Sequence, residues 1–283
     1  MSSWLILGRV SNLPTVWSNC LAAWLLGGGE SWGRLGWVLV GGSLIYVGGM
    51  FLNDACDVEF DRAYRPERPI VSGQVTAGSV WLWGCGMLLG GWVCLARLGQ
   101  VGVVVGLALL VAVVAYDVFH KFTRHAPVLM AACRLLLFVV AGSAGVEGVL
   151  GETLWSALAL ALYVVGLSYV ARQESIAGTQ TIAPLILMAA PLVLAGFVNP
   201  SWTWGRSVVL MPVVLFLAWT LRCLLLLWRG GPTAGARAAV PGLLAGIVWV
   251  DVVAVMPSPW PWGAAFVGLF ALAMLLQRVV PAS

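Results

Sequence analysis

The chain has 283 residues, 61% of them apolar and only 9% charged, with a formal net charge of +4 and a mean hydropathy of +0.98. A soluble domain typically carries about 25% charged residues, so a water-soluble fold is excluded and an integral membrane protein is expected. The modest positive charge leaves no footprint for nucleic acid.

A helix crossing the hydrocarbon core needs about 20 residues, and backbone hydrogen bonding in lipid admits only helices or closed barrels. Runs of Leu, Val, Ala and Gly without period-2 alternation select helices. The N-terminal stretch "MSSWLILGRVSNLPT" has no basic region and no clear cleavage site, so no cleaved signal peptide is expected. Apolar segments follow at 13–28, 35–52, 78–96, 101–117, 127–145, 154–171, 181–198, 207–228, 239–256 and 262–280. Short loops rich in Gly and Pro join them, and the third and fourth segments form a tight hairpin. The expected fold is all-α: a polytopic transmembrane helical bundle of nine to ten helices, in a single domain over residues 1–283. Cys20, Cys56, Cys85, Cys94, Cys133 and Cys223 form no metal-binding pattern and read as small apolar residues.

Basic residues orient the bundle. With the N-terminus inside, one side collects Arg9, Arg62, Arg65, Arg68, Lys121, Arg124, Arg172, Arg229, Arg237 and Arg278, and the other has Arg34, Arg97 and Arg206. The first side is expected to face the cytoplasm. Tryptophans near segment ends (Trp32, Trp202, Trp204, Trp260 and Trp262) are expected at the membrane interfaces.

Between the second and third segments lies "FLNDACDVEFDRAYRPERP", residues 51–69, with five of the eleven carboxylates: Asp54, Asp57, Glu59, Asp61 and Glu67. Asn53, Asp57 and Asp61 are spaced i, i+4, i+8. If the second helix runs on to about residue 61, they share one face with Asp54. Like charges at that spacing repel, and a divalent cation removes the repulsion. Mg²⁺ is usually held by one or two carboxylates together with substrate phosphates, and Arg65 and Arg68 are placed to take remaining phosphate oxygens. The stretch therefore reads as a metal-bridged diphosphate site at the membrane surface. The plainer alternative is a solvated loop.

"NDACDVEFD" resembles the N-D-x-x-D-x-x-x-D motif of the UbiA superfamily of intramembrane prenyltransferases. "NLPTVWSN" (12–19), "RPERPIVSGQV" (65–75) and "YDVFHK" (116–121) resemble further elements of that family. "YDVFHKFTRHAPVLMAACR" together with "YVVGLSYVARQE" is most similar to its EboC branch, found in biosynthetic clusters for small secondary metabolites. The resemblance implies Mg²⁺-dependent transfer of an isoprenoid from a prenyl diphosphate to a lipid-soluble or aromatic acceptor, within a bacterial inner membrane. It implies metal contacts for Asp54, Asp57 and Asp61, a supporting role for Asn53, and a phosphate contact for Lys121, the sole lysine. Asp117 stands i−4 to Lys121, as its ion-pair partner or its positioner. His120 and His125, five residues apart, are not expected to bind metal.

Family members usually carry a second D-x-x-x-D motif for a second Mg²⁺. Here "YVARQESIAG" (169–178) offers only Glu174. Glu174 is expected to hold at most a weak ion, and Arg172 is expected to supply part of the missing charge. This departure keeps open a second reading: a non-catalytic membrane component that binds a prenyl lipid or helps export a metabolite. Arg134 and Asp251 lie at membrane depth, where a charge costs about 2.5–3.5 kcal/mol on insertion scales. Arg134 is expected to line the cavity below the diphosphate, and Asp251 has no assigned role. Tyr116, Tyr163 and Tyr169 are candidates to face a carbocation, and Asn19 to contact diphosphate or acceptor.

Overall fold

Apolar sequence of span length becomes helix, and among the described residues every regular element is helical. The computed structural model describes residues 3–172, 183–193, 207–255 and 260–281. In chain order the helices are α1 (Ser3–Leu7), α2 (Leu13–Leu26), α3 (Trp32–Cys56), α4 (Val58–Tyr64), α5 (Ala77–Ala96), α6 (Gln100–Phe119) and α7 (Ala126–Gly142). Then follow α8 (Gly151–Arg172), α9 (Ala183–Met188), α10 (Ser207–Gly230), α11 (Ala236–Ala245), α12 (Ile247–Ala254) and α13 (Trp260–Leu276). Among the described residues six spans are long and apolar enough to cross a membrane: α3, α5, α6, α8, Met211–Gly230 of α10, and Thr233–Ala254, which takes in α11 and α12. The segments at 127–145 and 262–280 become shorter apolar helices. Of the segment at 181–198, residues 181–182 and 194–198 lie outside the described residues. The chain is an integral membrane protein by these spans.

The shortest of the early apolar segments is the most enclosed. α2 has no charged residue, and ten of its fourteen residues are buried, from Pro14 to Trp24. It packs against α3, α7, α12 and α13 and forms the axis of the bundle. α5, α6 and α10 instead turn most of their apolar surface outward, which only a lipid solvent favours.

Small residues set the closest helix contact. A Cβ added to Gly48 on α3 would sit 2.9 Å from the Gly84 carbonyl oxygen on α5, and one on Gly91 would sit 2.8 Å from that of Gly41. Without side chains the backbones approach closely along this seam, the usual route to helix association in lipid. At the end opposite the charged stretch, Arg34 donates to the carbonyls of Leu98, Ser143 and Ala144 at 2.8–3.2 Å. It thereby satisfies acceptors left by the ends of α5 and α7. Trp24, Trp32 and Trp262 pack there with ring centroids 5.6–5.9 Å apart. Trp202 and Trp204 lie outside the described residues.

Candidate functional site

The charged stretch sits where α3 leaves the bundle. The helix does not run unbroken to residue 61: α3 ends at Cys56, and Asp57 (φ −93°, ψ 1°) joins it to α4. The helical hydrogen-bond register survives the joint, through Asp57 N to Asn53 O (3.0 Å) and Asp61 N to Asp57 O (2.8 Å). Asn53, Asp54, Asp57 and Asp61 therefore stay close together.

Asp54 and Asp61 are buried rather than exposed, and protein cations answer the expected repulsion. Arg68 Nη1 lies 3.1 Å from both oxygens of Asp54, and Arg9 Nη2 lies 3.3 Å from Oδ1. Lys121 Nζ lies 2.7 Å from Asp57 Oδ1, and His120 Nε2 lies 3.4 Å from Oδ2. Lys121 also donates to the Cys56 carbonyl at 2.9 Å. Neither expected reading of Asp117 holds, because α6 ends at Phe119 and Lys121 leaves its face. Lys121 pairs with Asp57, while Asp117 accepts from the Asn53 amide at 3.3 Å.

These contacts tune the titrating groups. Burial pushes the Asp57 carboxyl up, but hydrogen bonds from His120 and Lys121 outweigh it and leave the group below its ordinary range. Burial dominates at Asp61, assisted by Asp54 and Asp57 against Arg68 and Arg65, and its carboxyl is raised. Burial lowers His120, yet the Asp57 contacts prevail and hold it above its ordinary value.

Among the described residues no group of three His, Cys, Asp or Glu side chains is arranged to hold a metal by itself. The donor set is nevertheless of the hard-oxygen type, and two buried oxygens, Asp61 Oδ1 and Asp117 Oδ2, have no hydrogen-bond partner. A cation that takes one or two carboxylates and completes its shell with phosphate and water fits this arrangement.

Tyr116 stacks on His120, with centroids 5.2 Å apart, and Arg65 is half-buried beside the cluster. Arg172 reaches the same mouth, but its guanidinium holds the carbonyls of Thr123 and Arg124 at 3.5 and 3.0 Å. Tyr169 donates to the Arg124 carbonyl at 3.4 Å. Tyr163 is fully buried and donates to the Leu243 carbonyl at 2.9 Å, so it packs rather than lining the mouth. Glu174, like the rest of 173–178, lies outside the described residues.

Asn19 and Arg134 bond to each other rather than to the carboxylates of the diphosphate cluster, with the Arg134 guanidinium 5.9 Å from the Tyr46 ring. Asn19 Oδ1 accepts from Arg134 at 2.7 Å, and its amide donates to both oxygens of Asp251 at 2.7 and 2.9 Å. Ser18 donates to Asp251 at 2.5 Å, and Arg134 also donates to Thr15 at 3.0 Å. Asp251 thus acquires a role, as the counter-ion of Arg134 through Asn19. Sequence reasoning missed Arg9, whose one signal is a lone arginine just ahead of α2.

A sequence model of the UbiA prenyltransferase family matches residues 11–239. No curated protein matches significantly. Among solved structures, a digeranylgeranylglyceryl phosphate synthase is similar, at TM-score 0.65 and 16% identity, over 89% of this chain and 98% of that one. A UbiA homolog from Archaeoglobus fulgidus bound to DMAPP and Mg²⁺ matches at TM-score 0.56 and 15% identity, over 99% of this chain and 100% of that one. A UbiA homolog from Aeropyrum pernix K1 matches at TM-score 0.52 and 18% identity, over 98% and 96%. At these identities the likenesses show a shared fold.

Proposed function

The chain belongs to the UbiA prenyltransferase family, and on that premise we propose that it transfers an isoprenoid from a prenyl diphosphate to a lipid-soluble or aromatic acceptor within the membrane, with Mg²⁺ as cofactor. One observation carries the reading. Two motifs more than 50 residues apart in sequence bring Asn53 and Asp57 against Asp117, His120 and Lys121 at one end of an apolar bundle. The structural relatives from Archaeoglobus fulgidus are bound to DMAPP or GPP with Mg²⁺, which supports the same ligands here.

Asp54, Asp57 and Asp61, with Asn53 beside them, are the residues to hold the metal. When bound, Mg²⁺ supplies Lewis-acid neutralisation of the leaving diphosphate. Lys121 and Arg68, already within 3.1 Å of the carboxylates, are placed to turn toward phosphate oxygens, with Arg65 further out. Their fixed charges stabilise the anion that develops as the allylic C–O bond breaks and its electron pair leaves with the diphosphate. The Tyr116 ring, stacked on His120, is the aromatic face offered to the resulting carbocation. The acceptor then forms the new bond to the allylic carbon and gives up a proton, and the apolar bundle beneath keeps water from competing.

The basic-residue bias supports a mouth that faces the cytoplasm, in a bacterial inner membrane. The motif pair around 116–134 and 163–174 supports an EboC-like member that serves a small-metabolite pathway, in one domain over 1–283. A binding-only reading is favoured by one feature: Glu174 is the sole carboxylate of 169–178.

The test is incubation of the purified protein with labelled dimethylallyl, geranyl and farnesyl diphosphates, Mg²⁺ and a membrane lipid extract. Diphosphate release with a labelled lipid product is expected. Tight Mg²⁺-dependent binding of donors without any release would replace transfer by the binding-only reading.

A further inference from the structure

Arg9 belongs to none of the motifs, yet it reaches the centre of the mouth. Its backbone is left-handed (φ 41°, ψ 47°), and among the described residues it is the sole non-glycine with positive φ. Such a conformation is strained for a residue with a Cβ, and strain of this kind persists where the surroundings over-determine it. The surroundings do so here. The Arg9 carbonyl accepts from Asn12 N at 3.0 Å and from the Tyr46 hydroxyl at 3.4 Å, and Arg9 N donates to Ile6 O at 3.0 Å. The short helix before it is anchored by fully buried Leu7 and by Trp4 against Phe51. The frame aims the guanidinium inward, where the side chain is 20% exposed. Nη2 reaches Asp54 and Asn53 at 3.3 and 3.5 Å, while Nε is buried without a partner.

The charge balance singles out Arg9. Arg68 already meets both oxygens of Asp54, so a second guanidinium on that carboxylate is in excess. Lys121 and His120 are matched to Asp57, and Arg172 is engaged by backbone carbonyls. A fixed cation with an unused donor is the complement of an incoming anion, and the Nε–Nη2 edge of arginine suits two phosphate oxygens at once.

We infer that Arg9 is a diphosphate-binding residue of this site, held in place by its strained backbone and by Tyr46, and that it supplies a fixed positive charge to the donor's diphosphate. The inference rests on the prenyl-diphosphate reading above. It gives the mouth a permanent cation in a chain whose segment 169–178 has a single carboxylate, and it replaces Arg172 in that part.

The experiment is calorimetric titration of the full chain in detergent with inorganic pyrophosphate, at saturating Mg²⁺ and again with EDTA. Arg9→Gln and Arg9→Gly are compared with the parent, and Arg97→Gln at the opposite end, over Trp37, is the control. Both Arg9 variants are expected to bind about 10- to 30-fold more weakly, and the control within about twofold of the parent. Glycine adopts φ 41° without strain, so Arg9→Gly should melt above Arg9→Gln while binding no better. That combination separates lost binding from lost folding. A folded Arg9→Gly protein that binds pyrophosphate like the parent overturns the inference and leaves the proposed function standing. A parent that binds no pyrophosphate with Mg²⁺ overturns both.

Discussion

Two clusters of charge among the described residues of this bundle are built on opposite principles. In the interior, Asp251, Asn19, Ser18, Thr15 and Arg134 form a closed set in which each carboxylate oxygen is hydrogen-bonded and the guanidinium has two acceptors. At the mouth, Asp54 and Asp57 are held by long cationic side chains, while Asp61 Oδ1, Asp117 Oδ2 and Arg9 Nε have no partner. A closed network ties helices together, here α2, α7 and α12. An open one has capacity left for a ligand. Burial alone does not separate them, since Asp54 and Asp251 are both buried.

The contrast predicts different failures. The largest effect belongs to the interior: Arg134→Met leaves a buried acid without its counter-ion and should destabilise the protein by about 3–5 kcal/mol. The double change with Asp251→Leu should recover most of that loss, as measured by unfolding in detergent. Equal instability of single and double variants would break the comparison. At the mouth the order reverses, with binding lost and folding kept. Lys121→Met should weaken Mg²⁺-dependent pyrophosphate binding about tenfold, or about 1.4 kcal/mol, yet lower stability by only about 1 kcal/mol, because the lysine is partly exposed. Arg172→Ala is expected to do less, changing pyrophosphate affinity by less than about threefold, since it holds a loop.

The smallest effect is a pH dependence of the metal-free protein. The His120 pKa is raised in the fold, mainly by Asp57 acting against burial. Its stabilising contribution is thus fully present below the unfolded value of about 6.5 and is lost as pH rises through the folded value. Melting temperature in EDTA should fall across that window, and His120→Gln should flatten the slope. Asp57, with a lowered pKa, contributes in the opposite sense: its share is present above about pH 3.9 and is lost as pH falls through the folded value.

The helical class was legible because a chain 61% apolar belongs in lipid, where only helices or closed barrels serve, and its apolar runs lack period-2 alternation. It made the mouth legible because Asn53, Asp54, Asp57 and Asp61 follow helical spacing in a chain nearly empty of charge. Partner choice was not legible. Lys121 stands four residues from Asp117, yet pairs with Asp57 because α6 stops at Phe119. Asn19 and Arg134 looked available for substrate because nothing local shows that Asp251, more than 100 residues beyond either, folds back onto them. Arg9 was invisible for a related reason: its significance lies in a backbone angle and a neighbouring frame, which composition and spacing do not encode.

The central claim is that the mouth is an open site for a cation and a diphosphate together. Its most direct test is titration of pyrophosphate into the purified parent and into Asp57→Asn, each with and without Mg²⁺. The parent should bind at least about 30-fold more tightly with Mg²⁺ present, a difference of about 2 kcal/mol. Asp57→Asn should remain folded and lose that gain. Equal affinity with and without Mg²⁺ in the parent, or an undiminished Mg²⁺ effect in Asp57→Asn, would contradict the account.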